Sequence, residues 1–214
     1  MYIRIFQLKD ANAYKSPSLD YESIMSNGGI DASLYKQIYY GNVNIQETDT
    51  DKILDKVYKK CTSDNKPLGY NGGYISIGDI IEICENKSFY YVDTFGYKKI
   101  EEFDIDFTNH NDMVRILICE TDNTPYISEI PADDIKVMQH IVGGHFETFP
   151  FKDGIIGWCN EDGIALGLPI NHNIQASIYG TAFFTSLERK NGEMVIAGLS
   201  DEQIKMLHMA FDIV

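Results

Sequence analysis

A polar stretch, Asp104-Ile-Asp-Phe-Thr-Asn-His-Asn-Asp112, separates two runs of short strand-like segments. Each run contains apolar residues bounded by Gly, Pro, Asn or Asp, a pattern typical of strands joined by turns. No internal repeat with a period of roughly 20 to 50 residues relates the two runs, so they are different modules rather than copies. A boundary after Thr108 predicts two α+β modules, residues 1–108 and 109–214, each an antiparallel sheet with one or two helices packed on it.

The first half contains one helical pattern among several strand patterns. Over residues 51–61 the apolar side chains recur with a period of 3.6 residues, and Thr48 or Thr50 is the expected cap. No element is predicted between residues 10 and 30. The predicted strands are 2–9, 34–40, 78–84, 88–93 and 97–103.

The second half contains two helical patterns. One covers residues 132–142 and is expected to end at Gly143-Gly144, and the other follows Ser200, where a capping box with Gln203 is predicted. The dipeptide Asn191-Gly192 indicates a tight hairpin between the last two strands. The predicted strands are 113–120, 125–129, 145–151, 155–159, 181–188 and 194–197.

The net charge is strongly negative and unevenly distributed. The chain has 32 acidic and 18 basic residues, a formal net charge of −14. Up to Thr108 there are 17 acidic and 12 basic residues, net −5, and after it 15 and 6, net −9. Excess carboxylates repel phosphate groups, which argues against direct nucleic-acid binding. A protein with a basic surface is the expected partner.

Membrane, secretion and cofactor signals are not found in the sequence. No apolar run approaches the roughly 18 residues that span a bilayer, and the amino terminus does not resemble a signal peptide, which predicts a cytoplasmic location. No CxxC pair and no HExxH spacing occurs, so neither a metal nor another cofactor is expected. The cysteines are predicted to be buried thiols: Cys61, Cys84, Cys119 and Cys159.

One polar segment, residues 159–173, is long for a hairpin connection and rich in asparagine. Asparagines in such loops either satisfy the main chain or contact a ligand. A cysteine-dependent site, in which Cys159 is activated by His145 or His172, is a further alternative. The candidate binding residues are Asn160, Glu161, Asp162, Asn171, His172 and Asn173.

Adjacent aromatic residues occur in three predicted strands: Tyr39-Tyr40, Phe89-Tyr90-Tyr91 and Phe183-Phe184. Because neighbouring side chains point to opposite faces of a strand, one member of each pair is expected to face outward. Outward aromatic residues beside carboxylates would form a protein-binding surface, whereas cross-strand pairing on a solvated face is the structural alternative.

Longer motifs resemble known families. The first half, over about residues 30–104, resembles the YodL-like domain through Tyr35-Lys-Gln-Ile-Tyr39, Leu54-Asp-Lys-Val-Tyr58, Tyr74-Ile-Ser-Ile-Gly-Asp-Ile-Ile81 and Tyr90-Tyr-Val-Asp-Thr-Phe-Gly-Tyr97. The second half, over about residues 113–212, resembles an uncharacterised domain family of bacterial conjugative elements and phages through Ile141-Val-Gly-Gly144, Cys159-Asn-Glu161, Gly167-Leu-Pro-Ile-Asn171 and Tyr179-Gly-Thr-Ala182.

These resemblances imply a mobile-element context, in which such domains accompany anti-restriction and other counter-defence modules. The expected function is therefore non-enzymatic inhibition of a host nucleic-acid-processing protein, such as a CRISPR effector or restriction enzyme. A small-ligand or nucleotide-binding module that uses residues 160–173 is the alternative, and a cysteine-dependent enzyme is a second one. The oligomeric state is left open.

Overall fold

The computed structural model describes residues 1–10, 12–14, 18–101, 103, 113–174 and 177–211. Its contacts divide the chain into two compact units, Met1–Asn111 and Asp112–Val214. Both units combine antiparallel strands with helices, so the α+β prediction is confirmed. The predicted boundary after Thr108 lies outside the described residues and stays a prediction.

The first unit contains a five-stranded antiparallel sheet with the strand order β5-β4-β3-β1-β2. The five predicted strands are confirmed, with shorter bounds at several ends. A six-residue helix and a short 3-10 helix were not predicted. The elements are β1 (Tyr2–Leu8), α1 (Tyr21–Ser26), the 3-10 helix (Ala32–Leu34), β2 (Tyr35–Asn42), α2 (Thr50–Thr62), β3 (Ile80–Ile83), β4 (Ser88–Val92) and β5 (Tyr97–Ile100).

Helix α2 follows the predicted period, but a different residue caps it. Leu54, Val57 and Cys61 are fully buried along its inner face. Asp49, rather than Thr48 or Thr50, accepts a hydrogen bond from the Lys52 amide. The prediction of a threonine cap was wrong because Thr50 is already the first helical residue, which leaves the Asp49 carboxylate to receive the free amide.

Both faces of the first sheet are buried. One face packs on α2 and includes Ile5 and Ile81, whereas the other includes Ile80 and packs with Ile24 of α1. Helix α1 begins at the Asp20 cap. It contributes a single fully buried side chain, which is too short a pattern to show a helical period in the sequence.

The second unit contains a six-stranded antiparallel sheet in which β7-β6-β10-β9-β8 follow one another and β11 pairs with β10. The six predicted strands are confirmed, with differences of a few residues at their ends. The elements are β6 (Met113–Cys119), β7 (Tyr126–Pro131), α3 (Ile135–Val142), β8 (Phe146–Pro150), β9 (Ile155–Asn160), β10 (Ala182–Lys190), β11 (Glu193–Ala197) and α4 (Asp201–Ala210).

The two predicted helices of this unit are confirmed, but the start of α3 differs from the prediction. Helix α3 begins at Ile135 instead of Ala132, because the Asp134 carboxylate caps it by accepting from the Lys136 and Val137 amides. It ends at Gly143, whose φ of 76° favours glycine. Ser200 and Gln203 form the predicted capping box of α4.

In Tyr39-Tyr40 the second tyrosine is half-buried, and in Phe89-Tyr90-Tyr91 both tyrosines are buried. The expectation that one residue of each aromatic pair faces outward is wrong for Phe183-Phe184. Both of these phenylalanines are fully buried. Phe183 stacks on Trp158 with 5.8 Å between ring centroids, while Phe184 lies 5.2 Å from Phe211 beyond α4. Because α3 contacts β8, β9 and β10 and the other face packs on α4, both faces of the sheet are covered at Phe183 and Phe184.

A buried carboxyl group, Asp79, organises the polar interior of the first unit. Its Oδ2 accepts hydrogen bonds from the Ser76 amide at 2.9 Å and from the Gln7 side chain at 2.8 Å. Gln7 also accepts from the Gly73 amide, so one glutamine and one aspartate hold the segment before β3. Burial raises the pKa of Asp79 from 3.8 to about 6, even though both hydrogen bonds favour the charged form.

We expect Asp79→Asn to remove a pH-dependent destabilisation. In the unfolded chain the carboxyl ionises near pH 3.8, and in the folded unit near pH 6. Its contribution to stability is therefore complete below pH 3.8 and declines as pH rises to about 6, by about 3 kcal/mol for a shift of about two units. The variant stays neutral, so its free energy of unfolding relative to the natural protein should increase from about pH 4 to about pH 7.

Urea unfolding across this range measures the difference between the two proteins. Asp64→Asn, at an exposed position, is the control, and parallel profiles for Asp79→Asn and the natural protein would contradict the assignment.

Candidate functional site

The predicted binding residues lie at the end of β9 and in the β9–β10 loop, residues 161–181. Asn160, the last residue of β9, is buried. Its Nδ2 donates to the Val142 carbonyl at 3.2 Å, and its Oδ1 accepts from the Asp162 amide at 2.9 Å. Asn160 therefore connects the start of the loop to the end of α3.

Asn171 and Asn173 connect the loop to β6. The fully buried Asn171 donates from Nδ2 to the Cys119 and Gly180 carbonyls at 2.8 and 2.9 Å, and its Oδ1 accepts from the Asn173 amide. Asn173 in turn donates to the carbonyls of Glu120 and residue 123 in the turn after β6. Four of these bonds satisfy main-chain carbonyls, and the bond from the Asn173 amide satisfies a main-chain donor.

The asparagine side chains of the candidate set thus hydrogen-bond to main-chain groups. This is the structural role that the sequence offered as the alternative to contact with a ligand. Because the asparagine side chains are already hydrogen-bonded, only the other members of the candidate set, Glu161, Asp162 and His172, are left to contact a ligand. All three of these side chains are exposed at the loop surface. For them, a binding role stays a prediction.

The loop is built from consecutive turns whose main-chain groups bond to one another. Amide-to-carbonyl bonds join Leu166 to Asp162 at 2.9 Å, Leu168 to Gly163 at 3.0 Å and Gly180 to residue 169 at 2.7 Å. Gly163 is required by close approach, since a Cβ at this position would lie 2.9 Å from the Tyr179 carbonyl oxygen. The loop consequently has a defined backbone despite having no regular secondary structure over residues 161–169.

Exposed apolar side chains at the loop surface are a feature that the sequence analysis missed. Ile164 is 75% exposed, Leu166 60% and Ile170 39%. The composition Gly-Ile-Ala-Leu-Gly-Leu-Pro-Ile is apolar, and from sequence alone it is equally compatible with a buried segment. The asparagine contacts determine which way the loop faces, and these contacts link residues up to 53 positions apart in the chain.

The same end of the second unit carries acidic side chains. Asp122 lies in the turn between β6 and β7, and Glu161 and Asp162 open the β9–β10 loop. All three are exposed, and Glu120 is half-buried beside them. Ala182 pairs with Cys119 on one side and Cys159 on the other, so the turn and the loop project from the same edge of the sheet.

The basic residues of this unit are placed elsewhere by its topology. At about 3.3 Å per residue, Arg189 lies roughly 23 Å along β10 from Ala182. The β8–β9 turn and the starts of β6 and α3 are likewise at the opposite end of the strands. One further lysine lies midway along α4. The basic residues are Arg115, Lys136, Lys152, Arg189, Lys190 and Lys205.

The cysteine alternative depends on Cys159, which packs in the apolar cluster beneath α4. Burial, and then the nearby Glu147 carboxylate, raise the pKa of the Cys159 thiol to about 11. His145 lies 3.4 Å from the Gln139 side chain through its Nδ1. A thiol with a raised pKa is a poor nucleophile near neutral pH, so the geometry does not favour a cysteine-dependent reaction.

A metal site and a membrane span each require a particular arrangement of the described residues. Among them, no group of three His, Cys, Asp or Glu side chains is placed to hold a metal ion. In the same part of the chain, no helix is long and apolar enough to cross a membrane.

We expect Asn171→Asp to destabilise the second unit more than Asn171→Ala at neutral pH. Alanine leaves the two carbonyls without donors, at a cost of about 1–3 kcal/mol for each buried group. Aspartate adds a charge that faces the same two carbonyl oxygens. Urea unfolding measures both losses, and His172→Ala, at the neighbouring exposed position, is the control, with an expected change within about 0.5 kcal/mol. Equal stability of Asn171→Ala and the natural protein would show that the two hydrogen bonds are not needed.

The four thiols should differ in their rates of alkylation. The prediction that all four thiols are buried is wrong for Cys84, which is half-buried. Cys61, Cys119 and Cys159 are buried, and burial raises their thiol pKa values. With iodoacetamide at mildly alkaline pH, Cys84 should react at least about tenfold faster than the others, because only exposed thiolate reacts. Peptide mass spectrometry over a time course measures each rate, and the same reaction in concentrated urea is the reference. Faster modification of Cys159 than of Cys84 would restore the cysteine alternative.

Two domain families account for nearly the whole chain. Residues 2–103 match the YodL-like domain, and residues 114–212 match a domain of unknown function (DUF3846). The match to the YodL-like domain begins at residue 2, whereas the motifs indicated a start near residue 30. It therefore includes β1, which lies between β2 and β3 in the order of the sheet. No curated protein and no solved structure gives a significant match. The chain therefore contains a match to the YodL-like domain followed by a match to the DUF3846 domain, in the predicted order.

Proposed function

We propose that this protein is a non-enzymatic counter-defence protein of a mobile genetic element, which binds and inhibits a host nuclease system of the CRISPR or restriction type. The observation that carries the proposal is the acidic edge of the second unit, formed by Glu120, Asp122, Glu161 and Asp162. Nucleases bind the phosphate backbone through basic channels, and an acidic surface is complementary to such a channel.

The distribution of charge supports a localised contact. The half after Thr108 carries a net charge of −9, against −5 for the half before it. Most basic side chains of this unit lie at the opposite end of the strands from the acidic edge, and Lys205 lies midway along α4, so the potentials of the carboxylates add with limited compensation from within the unit. Complementary charges of this kind accelerate association and are screened by salt. The contact should therefore be strongly salt-dependent.

The two alternatives receive less support from the geometry. For a small-ligand site, the amides of Asn160, Asn171 and Asn173 are already bonded to main-chain groups. For a cysteine-dependent enzyme, the Cys159 thiol is buried and has a raised pKa. Inhibition by binding requires neither a nucleophile nor a cofactor.

The proposal is tested by measuring DNA cleavage by purified CRISPR effectors and restriction enzymes with and without the full-length protein. Inhibition of at least one of these nucleases is expected, and it should weaken as salt concentration rises. A triple variant, Asp122→Asn, Glu161→Gln and Asp162→Asn, should inhibit about tenfold more weakly, since each exposed ion pair contributes about 0.2–1 kcal/mol.

A matched control neutralises three exposed carboxylates at the opposite end of the second unit: Asp153→Asn, Glu188→Gln and Glu193→Gln. It removes the same net charge, so it should retain inhibition if position rather than total charge matters. The proposal is contradicted if no nuclease is inhibited and if the protein gives phages no protection in cells that carry these systems.

A further inference from the structure

We propose that the exposed apolar side chains of the β9–β10 loop are a docking segment that inserts into an apolar recess on a partner protein, with basic side chains around that recess. We call Ile164, Leu166 and Ile170 the apolar tip. The inference deepens the proposed function and rests on it for the class of partner, a nucleic-acid-processing protein. The site itself is argued from the loop.

Clustering distinguishes the apolar tip from ordinary exposed apolar residues. Other exposed apolar side chains of the second unit, such as Met194 and Met209, belong to different elements and are separated in sequence. Singly exposed apolar residues are normal on protein surfaces, whereas several within one short segment mark interaction sites. The apolar tip places three within seven residues, with the exposed Ala165 and Pro169 between them.

The loop is rigid enough to present these side chains in a fixed arrangement. Asn160 and Asn171 flank the apolar tip and bond to the ends of α3 and β6, and internal main-chain bonds span residues 162 to 168. A further bridge pairs Ile170 with Tyr179. A segment that is already ordered loses little conformational entropy on binding, which increases affinity for a given buried area.

The surroundings of the apolar tip identify the chemistry of its partner. Glu161 and Asp162 directly precede it, and Asp122 lies in the adjacent turn at the same sheet edge. An apolar centre with a charged rim is the usual anatomy of a protein–protein interface. A complementary partner therefore has an apolar recess bordered by lysine or arginine side chains.

A second copy of this chain is a poor occupant for the same reason. Two apolar tips in contact would bring their acidic rims together, and like charges facing each other across an interface are unfavourable. The basic side chains at the far end of the unit are separated from the tip by the length of β10. A different protein with the opposite charge satisfies both the apolar and the ionic requirement.

The test compares two double variants of the full-length protein. Ile164→Ser with Leu166→Ser removes the most exposed part of the tip, and Met194→Ser with Met209→Ser removes two exposed apolar side chains elsewhere in the unit. Binding to any nuclease inhibited in the cleavage assay is measured by calorimetry. The tip variant should bind at least about 30-fold more weakly, as expected when central interface residues are truncated, and the control should bind within about twofold.

A second arm does not depend on the partner being a nuclease. A photo-crosslinking amino acid at position 166, or at position 194 as the control, is irradiated in bacterial cells, and a protein crosslinked only from position 166 is purified. Salt-sensitive binding of that protein, lost in the tip variant, supports the docking segment even if no nuclease is inhibited. An inhibited nuclease that binds the tip variant normally overturns the inference while the proposed function stands. Crosslinks only between two copies, or no crosslink specific to position 166, also overturn it.

Discussion

Asn171 makes the contacts on which the candidate site depends. Its buried side-chain amide donates to a carbonyl at the end of β6 and to a carbonyl just before β10, and its oxygen receives an amide from its own loop. An irregular segment crossing the end of a sheet leaves main-chain groups without strand partners, and these groups must be satisfied when they are buried. By satisfying them, Asn171 gives the loop one conformation and determines that the apolar tip faces solvent.

The acidity of the second unit is compatible with its packing because of where its carboxylates lie. In the second unit both faces of the sheet around Phe183 and Phe184 are occupied by aromatic and aliphatic side chains, and many of its carboxylates lie in turns and at helix starts. Some have local structural roles: Asp134 caps α3, and Asp201 pairs with Arg115 at the start of α4. The carboxylates beside the β9–β10 loop have no such helix to stabilise. They are the part of the charge that most needs a functional explanation.

The physical interpretation of the loop changed once its contacts were known. The sequence indicated this segment as a candidate site because asparagine and glycine are concentrated there, and it predicted the asparagines as candidate ligand contacts. The three asparagines instead form the framework, and the apolar residues between them are the exposed element. Hydrogen bonds over 50 residues or more, such as those from Asn173, have no local signature that would have revealed this arrangement.

The sequence by itself determined the α+β class, the strands found among the described residues, helices α2, α3 and α4, and the capping box at Ser200, because each depends on local periodicity or on groups within a few residues. Tertiary structure alone decided the remaining features. Helix α1 forms on the first sheet around a single buried isoleucine, Ile24, and Phe183 is buried because α3 covers the face that alternation alone would leave exposed. The acidic edge likewise exists because antiparallel pairing brings Cys119 and Cys159 to either side of Ala182. Residues this far apart in the chain become neighbours only when the strands pair, so no local pattern could have predicted the site that they form.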